Sequence, residues 1–376
     1  MHLDESQPNV TPPRSKRVLI TGVRRFWGLN LARQLELDHS VDFVCGIDAE
    51  LPDDPGLERA ELVVGDIRSP AMARLLRVTR ADTVVHTQVY GADRPGESPR
   101  QLHDTNVIGT MNLLAACASS PWVRKVVIRS STSMYGASPR DPAFFREEDE
   151  ARTGLRDTYS RDIVEVETYA RDYAARAPHA AVTILRFANS IGEHVDTPML
   201  RYLRSQVVPT WAGYDPRLQF VTDTDAVNAL AHAVRYWRPG TFNIAGPGTI
   251  TLSRMLHLAG RTSLPVLPPM MRTALGAFSR VGLLHVPAQY RDMLRFGRGV
   301  DTTRMLEEFG FVPEYTTREA AQLYAGHVRE QRLRPAASVL PEGGSDMVGY
   351  VRDRIPRPAA VRTAARTVES DAEDRP

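Results

Sequence analysis

Lysine is nearly missing from this chain. Of 47 basic residues only Lys16 and Lys125 are lysines, and the arginine excess reads as high-GC codon usage rather than selection for phosphate binding. A surplus of charge is missing too. The formal net charge is +2 over 376 residues, which gives no pull towards nucleic acid or acidic surfaces. Cysteine is scarce: Cys45 and Cys117 sit inside apolar segments without metal-ligand spacing and read as small buried hydrophobes in a reducing compartment. The ten histidines show no paired spacing, so no metal site is expected, and His86 reads as a strand-end hydrogen-bonder. The first sixteen residues are polar, carry Pro8, Pro12 and Pro13, and lack the hydrophobic run of a signal peptide, which points to the cytoplasm. No internal repeat is visible.

What is present is alternation. Short runs that are apolar throughout occur at Arg17 to Thr21, Asp42 to Asp48, Leu62 to Val64, Thr83 to Val85, Val126 to Ile128 and Val182 to Leu185. Helical periodicity lies between them, at Trp27 to Leu37, Asn106 to Cys117 and Tyr159 to Ala175. Strands apolar on both faces, separated by helices, predict an α/β fold with a doubly wound parallel sheet of Rossmann type. From about Asn189 the alternation weakens and prolines become frequent, although Asp225 to Tyr236 and Leu252 to Leu258 still read as helices. The expected organisation is a disordered lead (1–16), a nucleotide-binding domain (17–188), a smaller C-terminal substrate lobe (189–330) with some segments returning to the main sheet, and a largely disordered tail (331–376).

The join between first strand and first helix reads Thr21-Gly22-Val23-Arg24-Arg25-Phe26-Trp27-Gly28. A glycine turn there aims backbone N–H groups and a helix N-terminus at a pyrophosphate. Gly22 permits the tight turn, and Gly28 permits close packing of helix on sheet. Asp48 ends the second strand, where a carboxylate binds a ribose 2′-hydroxyl. A carboxylate repels a 2′-phosphate, so NAD is expected over NADP, although Arg24 and Arg25 argue the other way. The acidic run Glu147 to Glu150 reads as a solvated loop. The apolar stretch 268–287 is too short and interrupted to span a bilayer. Its plain reading is lobe core or a dimer surface; its sharper one is a lid or membrane-touching helix suited to a lipid-like substrate.

These residues resemble the extended short-chain dehydrogenase/reductase family, in its NAD-dependent epimerase/dehydratase branch that includes UDP-glucose 4-epimerase. The resemblance runs from about Arg17 to Tyr315. The family's Thr-Gly-x-x-Gly-x-x-Gly turn is kept except at the middle glycine, which is Arg25. Gly65-Asp66-Ile67 matches the adenine-holding Gly-Asp after the third strand. His86-Thr87-Gln88-Val89 replaces the usual His-x-Ala-Ala, and Asn106-Val107-Ile108-Gly109-Thr110 matches the Asn-Val-x-Gly-Thr helix. Ser130 to Gly136 keeps the Ser-Ser-x-x-x-Tyr-Gly pattern, while Arg186 to Asn189, Asn243 to Gly246 and Val300 to Gly310 resemble later motifs. The resemblance implies NAD held by Gly22, Arg25, Phe26, Trp27, Gly28, Asp48, Asp66, Ile67, Thr87, Asn106 and Tyr159. It also implies Tyr159 and Ser131 as catalytic groups, Thr132 and Asn189 on the substrate side, and pairing of two copies through a four-helix contact.

One departure limits what this implies. In the family the position four residues after the tyrosine is a lysine that makes the phenol a usable base; here it is Ile163. Neither Lys16 nor Lys125 lies where it would substitute. A free tyrosine titrates near 10, so working at neutral pH asks for roughly three units of depression, about 4 kcal/mol. The site is therefore expected to be weakened by about 10²–10⁴-fold, and Ile163→Lys is expected to raise the rate. Thr132 and Ser133 stand where dehydratase relatives carry an Asp-Glu pair, which argues against water elimination. Two classes remain: an oxidoreductase or epimerase on a nucleotide sugar or related hydroxyl compound, or a catalytically silent NAD-binding protein that regulates a partner.

Overall fold

Alternate residues along each apolar strand face opposite sides of one sheet, and both sides are covered. The protein's structure, a computed structural model, describes residues 15–333 except 92–97, 152–153, 156 and 281–285. Seven strands make the sheet: β1 (Arg17–Thr21), β2 (Phe43–Asp48), β3 (Glu61–Val64), β4 (Thr83–His86), β5 (Lys125–Ser131), β6 (Ala181–Phe187) and β7 (Gly240–Ile244). Their order is β7-β6-β5-β4-β1-β2-β3, and every pair is parallel. This is the doubly wound Rossmann-type arrangement. Leu19, Ile47, Val84, Val126, Ile128 and Ile184 pack under one helical layer. Val18, Ile20, Val85, Val127, Leu185 and Ile244 pack under the other. The period-2 alternation of a strand explains both faces.

The helices that link these strands are α1 (Phe26–Glu36), α2 (Ala71–Thr79), α3 (Gly109–Ala118), α4 (Thr158–Arg176) and α5 (Asp223–Arg235). Asp157 starts α4 by accepting a hydrogen bond from the Ser160 N–H at 2.8 Å, and Thr222 caps α5 through Asp225 N–H at 3.0 Å. Such caps satisfy backbone donors that a helix start leaves open. The helix expected from Asn106 begins earlier and differently. A π-helical turn, Asp104–Ile108, precedes α3, and its extra residue per turn rotates Asn106 inwards.

Lys125 is buried, and its Nζ donates to the carbonyls of Ala233, Val234 and Tyr236 at 3.2, 2.6 and 3.1 Å. It therefore closes the C-terminus of α5, where a cation meets the negative end of the helix dipole. Burial pulls its pKa down to about 8. Lys16 is exposed beside Asp42 at 3.8 Å.

Beyond β6 the ladders shorten. Asn189–Ile191 pairs with Phe220–Thr222, Arg217–Leu218 with Ile250–Thr251, and Val207–Trp211 with Thr262–Val266. They gather around a third apolar cluster that includes Met199, Leu203, Phe220, Met255, Leu294 and Tyr324. Helix Met271–Arg280 turns Met271 and Leu275 into this cluster, while Leu267 and Met270 stay exposed. No helix among the described residues is long and apolar enough to cross a membrane.

Two terminal expectations need trimming. Ser15 is buried and donates to the Val234 carbonyl at 2.6 Å, and the Lys16 carbonyl accepts from Asp42 and Phe43 N–H. The final helix, Thr317–Leu333, enters the expected tail by three residues. The rest of the lead (1–14) and tail (334–376) lies outside the described residues. Glu147 is also not solvated as expected. It is buried and accepts from the Asn243 N–H at 2.8 Å, because that β7 amide faces the loop instead of another strand.

Candidate active site at the carboxyl edge of the sheet

Parallel strands end together, so the residues following β1, β4, β5 and β6 collect at one edge. A cavity of about 240 Å³ opens there. On the sheet side its wall includes Arg25, Phe26, Trp27, Thr87, Arg129, Ser131 and Tyr159. On the other side it includes Asn189, Asp196, Pro198, Tyr290 and Arg298.

The turn after β1 is built as its glycines require. Gly22 adopts φ +84°, and a Cβ there would lie 2.8 Å from Thr87 Oγ1. A Cβ on Gly28 would lie 2.5 Å from the Gly22 carbonyl oxygen, so the helix start is pressed against the turn. Thr87 Oγ1 donates to the Thr21 carbonyl at 2.6 Å. His86, fully buried, bridges the Thr21 and Thr110 hydroxyls at 2.7 and 2.9 Å. Burial drives its pKa down to about 3, so it is neutral and holds strands together.

Ser131 is the last residue of β5, and its Oγ accepts from the Ser133 N–H at 3.1 Å. Tyr159, half-buried in the first turn of α4, lines the same cavity. Below them runs a buried polar network. Ser130 Oγ donates to Glu167, which takes two charge-assisted bonds from Arg186 at 2.9 and 2.7 Å. Arg186 also donates to Tyr135 OH at 2.7 Å, and that hydroxyl donates to Asn243 Oδ1 at 2.8 Å. Burial raises the Tyr135 phenol to about 12. It is a locked donor, not a base. Asn106 bonds both backbone groups of Tyr90 at 2.8 and 2.9 Å and Asp162 Oδ2 at 3.0 Å.

Other expected site residues stand apart. Thr132 is buried in the short turn Thr132–Tyr135 and is not on the cavity wall, whereas its neighbours Ser131 and Ser133 are. Gly22, Gly28, Asp48, Asp66, Ile67 and Asn106 lie off this wall as well. Asp48 is fully buried, accepting from Arg24 N–H at 3.0 Å, Ala49 N–H at 2.8 Å and Tyr90 OH at 3.3 Å. Asp66 is held by Arg68, which lowers its pKa against the upward push of burial. Ile67 is core. Ile163 is fully buried in that same apolar cluster.

Sequence reasoning missed Arg129, Tyr90, Tyr290 and Arg298. Arg129 donates to the Val89 carbonyl at 2.8 Å and lies 4.5 Å from the Trp27 ring centroid. Its Nε–H is buried without a partner among the described residues. Arg25 lies 5.5 Å from the Tyr90 ring, and Arg24 pairs with Glu50. A tight glycine turn at a helix start, a carboxylate ending β2 and an unspent guanidinium donor at the cavity wall are a donor set that fits a dinucleotide. For Arg129 a usable signal existed: a charge directly after the apolar run Val126 to Ile128.

A model of the NAD dependent epimerase/dehydratase family matches residues 18–245, more than half of the chain. The chain belongs to that family. An uncharacterized protein of Mycobacterium tuberculosis is 40% identical over 320 residues, covering 83% of this chain and 84% of its own. UDP-glucose 4-epimerase 3 of rice is 28% identical over 194 residues, 47% of this chain and 50% of that protein. Among solved structures, a UDP-glucose 4-epimerase from Thermotoga maritima with UDP-glucose superposes with a TM-score of 0.63 at 20% identity, covering 84% of this chain and 99% of that one. A dTDP-glucose 4,6-dehydratase from Streptomyces venezuelae with NAD and TYD bound gives 0.65 at 21% identity over 84% and 98%. At those identities the likeness is one of fold.

Proposed function

We propose that the protein is an NAD-dependent oxidoreductase or epimerase acting on a nucleotide sugar or a related hydroxyl compound. The observation that carries this reading is the meeting of Ser131 and Tyr159 in one cavity with Arg25, Phe26 and Trp27 of the first turn. Gly22, Gly28, Thr87 and Asp48 would hold the dinucleotide, with Asp66 and Ile67 at its adenine and Asn106 keeping the adjoining loop in place. Bound NAD supplies a hydride acceptor and, once reduced, a hydride donor. Tyr159 takes or returns the proton of the substrate hydroxyl, and Ser131 Oγ hydrogen-bonds the same oxygen. Asn189 contacts substrate from the lobe side. The rings of Phe26, Trp27 and Phe187 line the cavity and restrict water. Thr132 and Ser133 offer no carboxylate, which argues against dehydration.

Pairing of Arg24 with Glu50 supports NAD over NADP, because it occupies a guanidinium that would otherwise attract a 2′-phosphate. A second reading, a silent NAD-binding protein, is favoured by the core position of Ile163.

Incubation with NAD and UDP-glucose, followed by NMR of the sugar, separates the two. Epimerised product that falls by at least about 10²-fold in Tyr159→Phe supports the enzyme. NAD binding without any product supports the silent reading. No calorimetric heat with any oxidised or reduced nicotinamide coenzyme removes both.

A further inference from the structure

Ile163 leaves Tyr159 without an amine on its own helix face. Among the described residues, three guanidinium groups line the cavity: Arg25, Arg129 and Arg298. The first two lie at the sheet edge, over Tyr90 and over Trp27, and the open donor of Arg129 belongs to the set that fits the dinucleotide. Arg298 enters from the opposite wall.

Its backbone is clamped on both sides. Gly297 adopts φ +81°, where a Cβ would lie 2.7 Å from the Arg217 carbonyl oxygen. The Arg298 N–H donates to that carbonyl at 3.1 Å, and the Gly299 carbonyl accepts from Phe145 N–H at 2.9 Å. The Val300 N–H donates to Gln219 Oε1 at 2.7 Å. From this fixed base the side chain reaches the Gly136 carbonyl at 3.2 Å, at the end of the turn that follows Ser131, and Met293 Sδ at 3.4 Å. Among the described residues, Tyr290, Asp157, Tyr159 and Asp141 are titratable groups near enough to act on it.

We propose that Arg298 gives Tyr159 the positive charge that its family's lysine would give from position 163. A guanidinium suits the task because it stays charged where an ammonium would surrender its proton. Burial pulls the Arg298 pKa down to about 10, which still leaves it cationic at neutral pH. Asp157 and Asp141 offset part of that charge, but each is also engaged by backbone N–H groups, of Ser160 and Ser138 respectively. Among the described residues, Asp196, Arg25 and Arg129 are the other charged groups on the wall. Arg298 acts through Tyr159 and approaches from the lobe, so it replaces the lysine's electrostatic role and not its grip on the cofactor.

The proposal takes from the reading above only the identity of Tyr159 as the proton-exchanging group. Its test needs neither cofactor nor substrate. The full chain is labelled with ¹³Cζ-tyrosine, Tyr159→Phe identifies the resonance, and the phenol is titrated by NMR. In the native protein the midpoint is expected below the free value of about 10; a midpoint at or above it overturns the proposal without any variant. Arg298→Met is expected to raise the midpoint by about one unit, a tenfold loss of phenolate, and Arg298→Lys to restore little of it, because an ammonium buried there gives up its proton before the phenol does. An unmoved midpoint in a folded Arg298→Met overturns it too. A lowered midpoint with no coenzyme binding would keep Arg298 and discard the function, so the two failures are distinct.

Discussion

The two walls of the cavity are made differently. The sheet wall consists of strand ends and helix starts, locked by ladder hydrogen bonds and by the Ser130–Glu167–Arg186–Tyr135 network. The lobe wall hangs on ladders of two to five residues and on loops such as 297–300. Ser131 and Tyr159, the hydroxyls proposed to meet a reacting oxygen, sit on the sheet wall, where a small displacement would be costly. Arg298, the proposed source of charge, comes from a clamped segment of the lobe wall. On the proposed reading, chemistry and its adjustment are carried by separate parts of the chain.

Substitutions break this contrast in graded ways. The largest loss of stability is expected for Ile163→Lys. The sequence alone predicts a faster enzyme, but Ile163 is fully enclosed in the core, and an unpaired ammonium there costs about 3–5 kcal/mol. Urea unfolding should show it, and a variant as stable as the native protein would mean the side chain escapes to the cavity. Glu167→Gln belongs beside it: Arg186 loses its buried carboxylate, with a cost of about 3 kcal/mol. Lys125→Met leaves three carbonyls at the end of α5 without their donor and should cost about 1–3 kcal/mol in the same assay. On the lobe wall, Asn189→Ala should change stability by under about 1 kcal/mol, because its side chain is tied by a 3.2 Å contact with Met293 Sδ. It should instead raise KM, and a large drop in Tm would erase the distinction between the walls.

The smallest effect concerns acid. Hydrogen bonds from Ser40 and then from Arg235 lower Asp38 from 3.8 to about 2. A carboxyl depressed in the folded state stabilises above its unfolded pKa, and that contribution disappears as pH falls from about 4 to about 2. Solvent screening keeps it below about 1 kcal/mol. Native protein and Asp38→Asn should therefore differ in stability at pH 6 and converge near pH 2; a constant difference would rule out the carboxylate as its source.

The sheet was legible because buried parallel strands are apolar throughout, and period and length alone separate them from the helices. The glycine turn was legible because backbone geometry restricts residue type at Gly22 and Gly28. Arg298 was not, since a guanidinium between two glycines looks like a surface loop until Arg217 and Phe145 are seen to clamp it. Glu147 failed for a related reason: its partner, the Asn243 amide, lies 96 residues away. Thr132 was assigned by position in a motif, and a 3-10 turn rotated it off the wall. The π-turn at Asn106 leaves no periodic trace in so short a segment.

β7 flanks β6, yet it is translated more than fifty residues later. Until it emerges from the ribosome, β6 has an open, apolar edge of the kind that invites pairing between chains. A nascent chain halted after residue 188 would carry that edge permanently. Solubility of fragments should therefore jump once they extend past Ile244, whatever they bind.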